Sequence, residues 1–204
     1  MNRQQWQMVA VLVVVVASAA LLLSLANVGT HDAITAAREA TLHRMLVQVM
    51  PDHDNNPVQQ PIRIKGNDEP IYVARQHDRV TGFAWVVRAP DGYSGNIDIL
   101  LGLTPNGAIH AIRIVRHQET PGLGDGIVRN HNWVDSFIGR TLDNAHWAVR
   151  KDGGDFDQFT GATISPRAVV NAVHRGLTWF HQHHKELIKL VNKHFSTPLS
   201  KKKE

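Results

Sequence analysis

A threonine-containing segment directly before a predicted helix is the part of the sequence best suited to chemistry. Residues 157–163 read DQFTGAT. Thr160 and Thr163 supply two hydroxyl groups, and the backbone N–H groups at the start of the following helix attract anions. One interpretation is therefore a phosphate site. The other is that the two threonines only cap a turn and a helix, as such residues commonly do, and these residues alone favour the caps.

A glycine-rich segment is the second candidate. Residues 117–126 read HQETPGLGDG, with three glycines and a proline in the last six residues. This composition predicts a tight irregular loop, and glycine lets a flat ring approach the backbone without a Cβ atom in the way. The segment contains neither a GxGxxG nor a P-loop pattern, so the sequence gives no support to a dinucleotide-binding or NTPase fold.

Histidine and cysteine content limits the other possible chemistry. His181 and His184 lie three apart on a predicted helix and could share a metal ion. No carboxylate stands at a matching position, so a solvated helix face is favoured and no metal site is predicted. Cysteine is absent, which excludes thiolate iron–sulfur ligation and disulfides within this chain. Redox chemistry would need a bound organic cofactor.

Composition and charge indicate a folded chain that does not bind nucleic acid. The 204 residues are 43% hydrophobic and 20% charged, far from the composition of disordered chains and enough for an anchor and one domain. The formal charge is +4, but Lys201, Lys202 and Lys203 supply part of it. No stretch interleaves basic and aromatic residues as nucleic-acid binders do.

Residues 8–26 carry no charge and predict a membrane anchor. As a helix they would be about 28 Å long, close to the ~30 Å hydrocarbon thickness. A cleaved signal peptide is the alternative, but this apolar core exceeds the usual 7–15 residues. Arg3 and the amino terminus precede the span, and the residues after it carry no net charge, so the N-terminus is expected in the cytoplasm and the globular domain outside it.

The remaining sequence predicts an α+β fold with an antiparallel sheet core and flanking helices. An amphipathic helix is expected over residues 32–50, ended by Pro51, and residues 52–61 form a loop that could serve as a flexible link or lid. Predicted strands cover residues 71–74, 82–88, 97–104, 108–115 and 147–150, with turns at 90–92 and 105–107. A short helix is expected at 133–138. A long helix begins with Ser165 as N-cap and Pro166 in its first turn and runs to about residue 194.

Together the motifs resemble the G subunit of the Rnf-type electron transport complex, also called the Rsx complex. The resemblance rests on HQETPGLGD at 117–125, DQFTGAT at 157–163, PDGYSG at 90–95 and the N-terminal span, and it runs from the anchor to about Thr178. The C subunit of the sodium-translocating NADH:quinone reductase shares the GAT and ETPGLG signatures, but PDGYSG and the chain length fit the Rnf protein better. Thr160 replaces the commoner Ser, and Gln118 the commoner Lys.

This resemblance implies a covalent FMN. In the family a flavin transferase joins FMN by a phosphoester bond to the last residue of D-x-x-[ST]-G-A-[ST], which is Thr163 here. The rest of the implied attachment sequence is Asp157, Thr160, Gly161 and Ala162, and the implied neighbours of the isoalloxazine are Glu119, Thr120, Gly122 and Leu123. Valine at Gly122 or Gly124 is then expected to impair flavin binding more than folding.

The resemblance also implies a function and a domain organisation. The chain would be an electron-transfer subunit in the bacterial inner membrane, without a substrate site of its own, in a complex that couples electron transfer to ion movement. Its partners would be the other membrane subunits and the flavin transferase. The alternative is a membrane-anchored FMN-binding sensory module. The expected organisation is an anchor at 1–30, a helix and linker at 31–61, an FMN-binding domain at 62–195 and a basic tail at 196–204.

Overall fold

A four-stranded antiparallel sheet forms the centre of the computed structural model, which describes residues 3–64, 67, 69–77 and 79–195. The strands follow one another in space in chain order, β1 to β4. Their bounds are β1 Tyr72–Gln76, β2 Arg79–Gly92, β3 Gly95–Leu103 and β4 Ile109–Arg116. Short connections between sequential strands produce this meander. The predicted α+β class with an antiparallel core and flanking helices is confirmed, and the predicted tail at 196–204 lies outside the described residues.

The turn predicted at residues 90–92 is wrong. Strand β2 continues through these residues, and Gly92 pairs with Gly95 so that Tyr93 and Ser94 form the tip of the β2–β3 hairpin. The strand register shifts between Ala89 and Gly92, and such an irregularity lets a strand accommodate Pro90, which has no N–H to donate. The turn predicted at 105–107 is confirmed, because the Gly107 N–H donates to the Thr104 carbonyl at 3.0 Å.

Helix α4, Ile164–Phe195, covers one face of the sheet. Its apolar side chains face the sheet and are buried: Val169, Val170, Val173, Leu177 and Phe180. Gly176 permits close packing, because a Cβ atom there would lie 2.8 Å from Leu101 Cδ2 and 2.9 Å from Val87 Cγ1. The helix is therefore held firmly against the two central strands, and its first turn is fixed relative to the sheet.

Helix α1 is a single element, Arg3–Val49, so the predicted break between the apolar stretch and a separate helix at 32–50 is not observed. Gly29 costs a helix only about 1 kcal/mol and no proline interrupts the stretch. Among the residues that the structure describes, no helix combines the length and hydrophobicity needed to cross a membrane. The chain divides into two compact units, residues 1–42 and 43–204.

In the second unit, the last turns of α1 pack against the sheet face opposite α4. Leu46 and Val49 are buried, and a Cβ atom on Gly102 of β3 would collide with the Val49 carbonyl. Residues 52–61 follow as a loop with a short 3₁₀ helix, Pro57–Gln59. Asn55 ties this loop to β1, because its amide donates to the Val73 carbonyl at 2.9 Å and accepts from the Arg75 N–H at 2.7 Å.

Two short helices and an irregular segment lead from β4 to α4. The helices are α2, Gly126–Arg129, and α3, His131–Asp135, so the helix predicted at 133–138 begins and ends earlier. Asn130 is the N-cap of α3, because its side chain accepts a hydrogen bond from the Trp133 N–H at 3.1 Å. The strand predicted at 147–150 is wrong. Val149 forms only an isolated bridge with Phe156, and the chain turns away through a 3₁₀ helix, Arg150–Asp152, and Gly153 at φ +87°.

Candidate functional site

A cavity of about 340 Å³ brings the two candidate motifs together. Three segments build its wall: the tip of the β2–β3 hairpin, the loop after β4, and the turn that leads into α4. The residues that line it are Tyr93, Glu119, Thr120, Leu123, Gly124, Gly161, Ala162, Thr163, Ile164 and Ser165. Sites for small molecules in proteins are of this size and combine apolar walls with a few polar groups.

The turn before α4 fixes the direction of the second motif. The Ala162 N–H donates to the Phe159 carbonyl at 3.0 Å, which closes a four-residue turn. Gly161 occupies its third position with φ +77°, a left-handed conformation that glycine adopts without the strain a side chain would bring. The turn delivers Thr163 directly to the first residue of α4.

Thr163, which is partly buried, is the N-cap of α4. Its carbonyl accepts from the Arg167 N–H at 3.2 Å, the first bond of the helical pattern, and Ile164 is the first helical residue. The side chain of an N-cap residue reaches the free N–H groups of the first turn. The predicted N-cap, Ser165, is wrong. Ser165 lies buried inside the first turn, and its hydroxyl donates to the Glu119 carboxylate.

Glu119 is a buried carboxylate in the cavity wall, with 3% of its surface exposed. Its Oε1 accepts from the Ser94 N–H at 3.1 Å, and its Oε2 accepts from the Ser165 hydroxyl. One side chain of the loop therefore contacts both the hairpin tip and the first turn of α4. Buried carboxylates need such donors, because an unpaired one would be costly.

The rest of the glycine-rich loop is compact. The Leu123 N–H donates to the Thr120 carbonyl at 3.1 Å, and the Gly122 N–H donates to Asp125 Oδ1 at 2.8 Å. Gly122 lies at φ +79°, and it lines an open groove beside the cavity together with Thr160 and other residues. Leu123 lines both the groove and the cavity, with 50% of its surface exposed.

Asp157 lies outside both the cavity and the groove. Its carbonyl accepts from Trp133 Nε1 at 2.8 Å, and its exposed carboxylate lies 2.8 Å from Arg150 Nε. Of the predicted site residues, the structure brings six to the cavity and leaves Gly122, Thr160 and Asp157 around it. The six are Glu119, Thr120, Leu123, Gly161, Ala162 and Thr163.

Comparison with known proteins supports a flavin-related role for this region. The model of the FMN-binding domain family matches residues 92–178, a range that contains every residue of the cavity wall. The G subunit of the ion-translocating oxidoreductase complex of Aliivibrio fischeri strain MJ11 is 45% identical over 174 residues, covering 79% of this chain and 83% of the relative. Its counterpart in Shewanella oneidensis is 40% identical over 192 residues, covering 88% and 87%. The chain belongs to the G subunit family of ion-translocating oxidoreductase complexes.

A solved structure supports the fold of this G subunit family member. NqrC of Shewanella oneidensis superposes with a TM-score of 0.50 over 68% of this chain and 78% of its own, at 20% identity. At that identity the likeness concerns the fold alone. The antiparallel sheet with its flanking helices is therefore an architecture that already occurs in a solved protein.

Besides the six predicted residues, the cavity wall of this family member contains Gly124, at which added bulk is predicted to impair flavin binding, and three residues that the sequence assigns to no site. These three are Tyr93, Ile164 and Ser165. Tyr93 has 69% of its surface exposed at the hairpin tip, and Ile164 has 42% exposed at the start of α4. Both are large apolar groups at the cavity rim. The PDGYSG motif contains Tyr93 and was the available signal. Only the three-dimensional arrangement shows that Ser165 turns towards Glu119.

An ion pair connects the segment that precedes the DQFTGAT motif of this family member to α4. Arg167 Nε and Nη2 donate to the two Asp152 oxygens at 2.6 Å and 3.0 Å, which ties the 3₁₀ helix at 150–152 to the first turn of α4. The hydrogen bond from Arg167 is the main cause that lowers the pKa of Asp152 below its ordinary value. The pair stays ionised at neutral pH and braces the start of α4 from the side of the 3₁₀ helix.

Proposed function

We propose that this chain is the electron-transfer subunit of an ion-translocating oxidoreductase complex and that its redox group is FMN. The observation that carries the proposal is the cavity in which the loop after β4 meets the start of α4, inside the region that matches the FMN-binding domain family. A bound FMN supplies one- and two-electron transfer. The chain itself needs no general acid, general base or substrate site for this task.

The side chains of the cavity suit a flavin. Tyr93, Leu123 and Ile164 offer apolar surface at the rim, which suits a flat aromatic ring and keeps water from its faces. Thr120 and Ala162 leave short side chains in the wall. The start of α4 offers backbone N–H groups and the positive end of a helix dipole, which suit a phosphate.

We further propose that Thr163 Oγ1 is the attachment atom of a phosphoester-linked FMN. Four serine and threonine side chains line the cavity or the neighbouring groove. Ser165 already donates to Glu119, Thr160 lines the neighbouring groove, and Thr120 lies in the loop away from a helix terminus. Thr163 combines a place in the cavity with the N-cap of a long helix, where the first-turn N–H groups stabilise the charge of a phosphodiester.

A flavin transferase is the proposed maturation partner. Asp157 is exposed and paired with the exposed Arg150, so it is available to another protein while its own backbone is fixed by Trp133. In the attachment step the Thr163 oxygen bonds to the phosphorus next to the flavin in an activated FMN phosphoester. The bond from that phosphorus to the leaving group breaks, the leaving group departs with the electron pair, and the Thr163 proton passes to solvent. The role proposed for Asp157 is recognition, without contact to the reacting atoms.

The proposed location is the bacterial inner membrane, with residues 8–26 as a single span and the globular domain on the periplasmic side. This part rests on the uncharged sequence of residues 8–26, on Arg3 before it, and on relatives that are named as subunits of an ion-translocating complex. The proposed partners are the other membrane subunits of that complex. A reporter fused after Glu204 that is active only in the cytoplasm would contradict the orientation.

Intact-mass spectrometry of the chain, made in a host with the transferase, tests the central proposal. The wild-type chain should gain the mass of an FMN phosphoester, and its denatured band should fluoresce. Thr163→Ala should remove both signals while the protein stays folded, since loss of an N-cap costs only about 1 kcal/mol. Thr163→Ser keeps a hydroxyl and should retain part of the attachment.

Thr120→Ala is the matched control, because it removes another threonine hydroxyl from the same cavity and should leave attachment intact. Thr160→Ser should leave flavin attachment nearly unchanged. A fluorescent denatured band from Thr163→Ala would show that the tether lies elsewhere.

A further inference from the structure

We infer that Glu119 is a positioning residue, which fixes the first turn of α4, and with it the Thr163 hydroxyl, against the loop and the hairpin tip. The inference rests on the proposed function and gives this side chain a task other than contact with the flavin ring. The Glu119 carboxylate is buried. A side chain with 3% exposure that ends in a charged group is kept inside a protein only by specific donors.

Both carboxylate oxygens are engaged by groups of the protein. Oε1 accepts from the Ser94 N–H in the β2–β3 hairpin at 3.1 Å, and Oε2 accepts from the Ser165 hydroxyl in α4. Ser94 and Ser165 lie 25 residues before and 46 residues after Glu119. A single carboxylate therefore joins three segments that are far apart in sequence.

Two glycines leave the space that this carboxylate occupies. A Cβ atom on Gly92 would lie 2.9 Å from Glu119 Oε1, and a Cβ atom on Gly124 would lie 2.6 Å from Glu119 Oε2. Both approaches are closer than van der Waals contact allows. A Cβ atom on Gly92 would also collide with the Gly95 carbonyl oxygen, and one on Gly124 would lie 2.7 Å from Ser165 Oγ. Glycine at both positions therefore leaves room for the Glu119 carboxylate as well as for the close approach of neighbouring atoms.

The link to the attachment atom runs through the first turn of α4. Ser165 is two residues beyond Thr163 in a rigid helical turn, and 1% of its surface is exposed. Its bond to Glu119 sets the rotation of the helix start about its own axis. The direction of the Thr163 side chain follows from that rotation, because Thr163 is the N-cap of the same turn.

The test compares Glu119→Ala, Glu119→Gln and Ser165→Ala in a host with the transferase. The amide of glutamine can accept from the Ser94 N–H and donate to the Ser165 oxygen, so Glu119→Gln should keep occupancy close to wild type. Glu119→Ala should lower the fraction of chains carrying flavin by about tenfold or more, since a misplacement of 1 Å can cost a reaction a factor of about 100. Ser165→Ala should have a smaller effect, because it breaks one of the two contacts.

Leu187→Ala is the control for simple loss of stability. Leu187 is fully buried in the distant part of α4, and its truncation should destabilise the fold without changing flavin occupancy. If Glu119→Ala retains as much flavin as Leu187→Ala, the positioning role is wrong. If Glu119→Gln is as deficient as Glu119→Ala, the charge itself is required and the positioning role is again wrong.

A double-mutant cycle in flavin-free protein separates this inference from the proposed function. The effects of Glu119→Ala and Ser165→Ala on the free energy of unfolding should be non-additive if the two side chains interact. Additive effects would overturn the inference. A wild-type chain without attached flavin, combined with a non-additive cycle, would overturn the proposed attachment at Thr163 and leave the bridge between the three segments standing.

Discussion

Gly122 and Gly124 stand two residues apart in the loop but meet different surroundings. Gly122 lies at φ +79°, and a Cβ atom added to it would have no neighbour within 4 Å. Gly124 has an ordinary φ, but its Cβ atom would lie 2.6 Å from Glu119 Oε2 and 2.7 Å from Ser165 Oγ. At the scale of single residues, the loop needs the first glycine for its backbone conformation and the second for its packing.

Because of this difference, substitution of the two glycines should reduce stability by different amounts. Gly122→Ala should cost about 1 kcal/mol of stability through its left-handed φ. Gly124→Ala should cost about 2–4 kcal/mol, because it overpacks the Glu119–Ser165 contact and disturbs a buried carboxylate. The expectation that bulk at both positions affects flavin binding more than folding therefore applies to Gly122 alone. Denaturant unfolding of the flavin-free variants measures the difference, and equal losses at the two positions would contradict it.

Asp98 shows how side chains connect whole strands. It lies on β3 with Arg88 of β2 and Arg116 of β4 as its partners in the strand register. Arg88 Nε donates to Asp98 Oδ1 at 2.7 Å, and Arg116 Nε donates to Asp98 Oδ2 at 2.9 Å. Burial alone would raise the pKa of Asp98, but the hydrogen bonds and charges of Arg88 and Arg116 outweigh it, so the pKa lies below its ordinary value.

The sign of this shift predicts an acid-dependent loss of stability. A carboxyl group with a lowered pKa in the folded state stabilises the fold above its unfolded pKa of about 3.9, and that stabilisation disappears as the pH falls through the folded pKa. Asp98→Asn should therefore destabilise the protein by about 1–3 kcal/mol at pH 7. The difference in the free energy of unfolding between the variant and the wild type should become smaller below pH 4. Unfolding free energies measured from pH 7 to pH 3 test this. Asp152→Asn, at a more exposed pair, should show a smaller loss of stability with the same direction of pH dependence. A gap that stays constant over that range would contradict the assignment.

Elements with a strong local pattern were the ones that the sequence predicted well. The sequence predicts the four strands because they are rich in β-branched and aromatic residues and two turn signals separate them, and it predicts α4 because its apolar residues recur at helical spacing. The strand predicted at 147–150 failed because two apolar residues, Trp147 and Val149, suit a buried irregular segment equally well. The helix cap was misplaced by two residues, because Thr163 and Ser165 are both good cap residues and the sequence does not show that Ser165 turns towards Glu119.

At the scale of the whole molecule, the site depends on contacts between distant parts of the sequence. The motifs themselves were visible in the sequence, and the structure brings six of the nine predicted residues to one cavity. The bridge from Ser94 through Glu119 to Ser165 was not visible, because each of these residue types is ordinary in isolation. Spacing along the chain carries no information on which serine a buried glutamate will meet.

The division into residues 1–42 and 43–204 predicts that the second unit folds and accepts flavin by itself. A fragment that begins at residue 43 keeps Leu46, Val49 and Met50, which are buried in the second unit. It should unfold cooperatively and become fluorescent on a denaturing gel when the transferase is present.

A fragment that begins at Pro51 lacks these three side chains and uncovers the sheet face around Gly102. This shorter fragment should lose roughly 4.5–9 kcal/mol of stability, because each of the three buried side chains contributes about 1.5–3 kcal/mol. Denaturant midpoints of the two flavin-free fragments make the comparison. Equal midpoints would show that the last turns of α1 do not support the sheet, and a fragment from residue 43 that fails to fold would show that the second unit depends on the first.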